Sequence, residues 1–202
     1  MGQLKSFVLV SLLLALNIIS LATPTFAMKR AANMPMVISG LDGRFYARCV
    51  PAKEDGSAGS TKIYRVESAK DVLLDSYDFY PQHGIWLGWS PKAGKVALMA
   101  RLVEQNVDPN KQVELTFFLG GKKLNSYTSA QLWKMGAQKK LDMIGGNCAE
   151  ISVRGCEQVP GTNDYDFVVR TGMKTVLRFD ILTGKAKGSA LPDTGLHENI
   201  KF

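Results

Sequence analysis

From Phe45 onward the chain is cut into short pieces by turn-forming residues at close intervals, and this punctuation limits the possible folds more than any other feature. The pieces are apolar or alternating runs of roughly five to eight residues, the length and period of strands. Phe45–Val50 (FYARCV), Lys62–Val66 (KIYRV) and Val72–Phe79 (VLLDSYDF) come first, separated by PAKEDGSAGS and by Ser68–Asp71. Ile85–Trp89 (IWLGW) and Val96–Val103 (VALMARLV) flank SPKAGK, while Val113–Leu119 (VELTFFL) and Lys123–Tyr127 (KLNSY) flank Gly120-Gly121. A two-residue Gly-Gly connection between such runs is a strong hairpin signal. Glu150–Arg154, Asp166–Arg170 and Thr175–Ile181 complete the set. Their connections are too short for parallel crossovers, so an all-β, mainly antiparallel meander is expected.

One helix interrupts the pattern. Thr128 or Ser129 can cap its start and Gly145-Gly146 its end, with Trp133, Ala137, Leu141 and Ile144 forming an apolar stripe between them. Lys134, Lys139 and Lys140 lie on its other faces. A stripe of this width packs over a sheet more readily than onto a membrane.

The order IWLGWSPKAGKVALMARL, then VELTFFLGGKKLNSYT, runs strand, turn, strand, strand, turn, strand. It resembles one blade of a β-propeller of the WD-repeat type, and DFVVRTGMKTVLRFDILTGK ends in the same paired-strand way. The resemblance implies a propeller-like arrangement of three or four blades. A sandwich or open barrel is the alternative, because few closed rings are that small.

The N-terminus predicts the compartment. Lys5 precedes an apolar run from Phe7 to Leu21, and Pro24 leads to Thr25-Phe26-Ala27, the order of a secretory signal peptide. At about 15 residues the run is shorter than a membrane span. Met1-Gly2 with Ser6 also fits an N-myristoylation pattern, but such a protein needs neither the apolar run nor the small-x-small site. The expected organisation is a signal peptide over 1–27, a flexible lead-in over 28–40, a single β-rich domain over 41–192 and a tail over 193–202. The product is periplasmic, in a Gram-negative cell, or secreted, with no transmembrane segment once the leader is removed. The whole chain carries a net charge of +7, which favours anionic partners, yet the cations are dispersed rather than in blocks.

Export implies paired thiols. Cys49, Cys148 and Cys156 allow one bridge and one remaining thiol. If 148–156 were one straight strand, its ends would lie about 26 Å apart, and a disulfide needs about 7 Å. The segment therefore folds back to join Cys148 to Cys156, or Cys49 supplies a partner; both routes stay open. The C-x₇-C spacing does not suit a zinc site or a redox motif.

No catalytic signature is present: G-x-S-x-G, H-E-x-x-H and a P-loop are all missing. Asp164 and Asp166 share a strand face and offer two oxygens toward a calcium site, but GTNDYDF lacks the remainder of such a loop. The aromatic cluster Ser76–Trp89 is the best candidate site. Trp86 and Trp89 point to opposite sides of their strand, so one ring should face away from the core. The expected function is a non-catalytic binding or envelope-accessory domain presenting Tyr80, His83, Trp86 and Trp89 to a glycan, a peptide or an envelope protein. Nucleic acid is disfavoured, and no cofactor or metal is implied. The alternative is a periplasmic hydrolase using His83 and an acid such as Asp78.

Overall fold

A computed structural model describes residues 33–40, 43–54, 56–102, 108–141, 147–172 and 175–192, without the side chains of 141, 147 and 148. The proposed leader and the C-terminal tail lie outside the described residues. The described chain forms three antiparallel sheets. The first contains β1 (Met36–Ser39), β2 (Phe45–Pro51), β3 (Gly59–Arg65) and β4 (Val72–Tyr77). The second contains β5 (Ile85–Ser90), β6 (Lys95–Ala100), β7 (Val113–Leu119) and β8 (Lys122–Thr128). Helix α1 (Ser129–Lys134) leads into the third, made of β9 (Gln138–Leu141), β10 (Asn147–Gln158), β11 (Tyr165–Thr171), β12 (Thr175–Asp180) and β13 (Leu191–Pro192). Strands neighbour one another in chain order throughout, the expected meander, and no barrel closes among the described residues. The two hairpins likened to a propeller blade form one four-stranded sheet, β5 to β8.

The sheets stack, with the second in the middle. Its alternate residues face two different cores. Val96, Leu98 and Ala100 pack with Phe45, Ala47, Cys49 and Ile63 of the first sheet. Ala97 and Met99 pack with Phe167, Val169, Leu177 and Phe179 of the third. A sheet covered on both faces has no solvent side, which is why β6 (KVALMA) reads as almost unbroken apolar sequence. The first sheet has one wet face, and β2 (FYARCV) alternates accordingly.

Two expectations need correction. The helix is only Ser129–Lys134, and the segment that was to be its second half contains strand β9. Its start is as expected: Thr128 Oγ1 accepts from the Gln131 N–H, and Gln131 Oε1 accepts from the Thr128 N–H, a capping box. Its end comes early because Gly136, at φ +107°, closes a Schellman motif. Gly136 N–H donates to Trp133 O and Ala137 N–H to Leu132 O, after which the chain is free to extend. A stripe at helical spacing also suits a strand that borrows only some of its members, and Gly136 decided between them.

The second correction concerns the cysteines. β10 is continuous from Asn147 to Gln158, so 148 and 156 lie on one strand and the segment does not fold back. Cys49 and Cys156 are free thiols, and no disulfide joins the described residues. Cys49 is buried in the core between the first and second sheets. Met36–Ser39, read from sequence as part of the lead-in, adds to the first sheet as β1.

Candidate functional site

Strand β5 lies at the edge of the middle sheet, where it touches β1 and β2 on one side and β10 and β11 on the other. Around it a cleft of about 210 Å³ opens at the hairpin ends of all three sheets. Leu87 and Trp89 face the first sheet, where the Trp89 ring stacks on Phe45 with centroids 5.1 Å apart and planes 13° from parallel. The Arg44 guanidinium stands at the rim, 5.6 Å from the centre of the Phe45 ring. Tyr165, the first residue of β11, completes the opposite wall.

Gly88 makes this arrangement possible. A Cβ there would come within 2.7 Å of Cys156 Sγ and 2.8 Å of Ile181 Cδ1, so only glycine lets the third sheet approach β5 this closely. Cys156 borders the cleft as a neutral group. Burial pushes its thiol up to about 12, and the carboxylates of Asp166 and Glu157 add to the shift. A thiol so held is a poor nucleophile near neutral pH. Asp166 is buried on the other face of its sheet; burial raises its carboxyl, and Lys187 Nζ, 2.7 Å from Oδ1, opposes that rise. Asp166 is therefore in an ion pair rather than the start of a calcium loop. Among the described residues no three His, Cys, Asp or Glu side chains gather as a metal site would require.

The four residues read from sequence as a site are dispersed. Tyr80 is buried in the core of the first and second sheets, and its hydroxyl donates to Met34 O at 2.9 Å. His83 is exposed in the turn before β5. Trp86 packs toward the third sheet and Trp89 toward the first, on opposite faces of β5 as the alternation requires. Of the four, Trp89 alone lines the cleft. Phe45, Tyr165 and Arg44 went unnoticed: Arg44 and Phe45 come from the β1–β2 hairpin, Trp89 from β5 and Tyr165 from β11, and nothing local marks these three segments as neighbours. Gly88 carried a usable signal: a glycine inside an apolar strand indicates close approach by another backbone or side chain. No protein-family model, curated protein or solved structure matches the chain.

Proposed function

We propose that the chain is an exported, non-catalytic binding domain whose cleft takes one ring or one branched apolar side chain beside a carboxylate, as at the end of a peptide. The leader pattern of Lys5, Phe7–Leu21 and Ala27 supports export. The wall built by Phe45 and Trp89 beneath the Arg44 guanidinium carries the binding reading. Size narrows the ligand. A cavity of about 150 Å³ accepts benzene, whereas drug-sized ligands occupy roughly 300–1,000 Å³. At about 210 Å³ the cleft is sized for a single side chain. The permanent charge of Arg44 at the rim favours a carboxylate over a neutral end.

The test is titration with 3-phenylpropionate followed by NMR. Saturable shifts are expected at Phe45, Leu87, Trp89 and Tyr165, with affinity falling about tenfold in Trp89→Ala. Arg44→Ala, an exposed substitution, should abolish the preference for the acid over 3-phenylpropanamide. Shifts scattered over the surface, or equal affinity in both variants and the parent chain, would overturn the assignment.

A further inference from the structure

The two outward faces of the stack differ in charge. On the third sheet, opposite charges neutralise one another. Glu157 meets Arg154 at 3.3 Å and Arg178 at 3.1 Å, and Lys187 lies between Asp166 and Asp180 at 2.7 and 4.0 Å. Among the described residues of the first sheet, Arg65 at the end of β3 meets Glu67, but the cations at the centre of the outward face have no such cover. One row across its outward face runs Val37, Arg48, Lys62, Ser76; the next runs Ser39, Tyr46, Tyr64, Leu73. Arg48 and Lys62 are direct cross-strand partners and both are exposed. Like charges placed opposite each other weaken a sheet. No acid among the described residues pairs with either cation.

Beside the cations, the rings of Tyr46 and Tyr64 stack at 5.1 Å and 14°, and the Tyr46 hydroxyl donates to Asp71 Oδ2 at 2.8 Å. Val37 and Leu73 flank them, 66% and 50% exposed. Tyrosine and arginine bordered by aliphatic side chains is the composition of the energetic centre of a protein interface.

We infer that this face docks an acidic protein partner. Its carboxylates settle over Arg48 and Lys62, and its apolar side chains cover the tyrosine pair and Leu73. The aliphatic flanks offer nothing to a sugar or a phosphate. The tyrosines spend a ring face on each other, leaving less open surface for stacking bases or pyranose rings. The cation pair, unfavourable in the free chain, becomes favourable once an anion lies between its members.

The experiment measures binding of the intact chain to a random copolymer of glutamate and tyrosine at physiological salt, with heparin and poly(dT) as polyanions of other classes. Arg48→Glu with Lys62→Glu should weaken copolymer binding at least about tenfold. Lys122→Glu with Lys123→Glu, an equal charge change at exposed sites on β8, should leave it within about twofold. The Arg48→Glu, Lys62→Glu double variant should keep the Tm of the parent chain, because one exposed like-charge pair replaces another across the strands, and this separates lost binding from lost folding. Equal loss in the two double variants would reduce the effect to net charge and overturn the inference. So would absence of copolymer binding, or binding of heparin or poly(dT) at this face in its place.

Discussion

Glu114 shows how much one side chain can carry. It sits on β7 with no exposed surface, and its Oε1 accepts from Ser129 Oγ at 2.8 Å, the Ala149 N–H at 3.0 Å and Gln112 Nε2 at 3.3 Å. Arg101 Nη2 lies 3.5 Å from Oε2. One carboxylate thereby ties the middle sheet to the start of α1 and to β10 of the third sheet. A buried charge of this kind is costly to create and costlier to break by halves. Glu114→Ala strands a hydroxyl, an amide and a guanidinium, and should cost roughly 3–5 kcal/mol in urea unfolding. Glu114→Gln keeps the shape and one acceptor oxygen, and should cost roughly 1–3 kcal/mol. Equal midpoints for the two variants would show that the carboxylate is not the hub. From sequence, Glu114 alternates with Val113 and Leu115 as any residue on a wet face would. Its burial follows from the second sheet having no wet face.

At the scale of elements, the boundary between α1 and β9 depends on Gly136. Its φ of +107° is hostile to any side chain, and a Cβ there would lie 3.0 Å from Ala190 Cβ. Gly136→Ala should therefore cost at least about 1–2 kcal/mol, whereas an alanine in a helix interior would have stabilised the chain. Thr128→Ala removes the acceptor of the capping box and should cost about 1 kcal/mol. Thermal melts of both variants provide the check, and a rise in Tm for Gly136→Ala would restore the longer helix. The Gly120-Gly121 hairpin shows the opposite case, in which local chemistry sufficed. Both glycines have positive φ, +57° and +77°, as a two-residue turn of type I′ demands.

Over the whole molecule, the stacked sheets hold two weak acids, one buried and one partly buried, in their neutral form. Tyr77 reaches from the first sheet to the second, where its hydroxyl accepts from the Gly121 N–H at 3.3 Å. Burial, helped by Asp75, raises it from its ordinary 10.0 to about 12. Cys156, between the second and third sheets, rises from 9.0 to about 12. In the unfolded chain both release their protons at the ordinary values, so above pH 9 the folded state binds more protons than the unfolded one. Stability is then fully present below pH 9 and falls as pH rises towards 12, by up to about 1.4 kcal/mol per pH unit for each group. Urea midpoints between pH 8 and 11 should show the decline, and Tyr77→Phe and Cys156→Ala should each flatten it. An unchanged slope in both would remove these groups as its cause. The raised Cys156 thiol bears on the proposed exported life of the chain, since a neutral thiol is slow to oxidise.

Most strand positions, the Gly-Gly hairpin, a cap at Thr128 and the antiparallel meander were legible in the sequence, although β1 and β9 were not, because backbone dihedral preference and side-chain alternation are set by residues adjacent in the chain. The chain's alternation also put Trp86 and Trp89 on opposite faces of β5. Tertiary structure decided which sheet lies in the middle, that Glu114 is inside, that Tyr80 is core and that Cys156 meets Gly88. It alone brought Arg44, Phe45, Trp89 and Tyr165 around one cleft. Those outcomes depend on which sheet faces cover one another, a choice made by burying apolar area between segments far apart in the chain, and no local pattern encodes it.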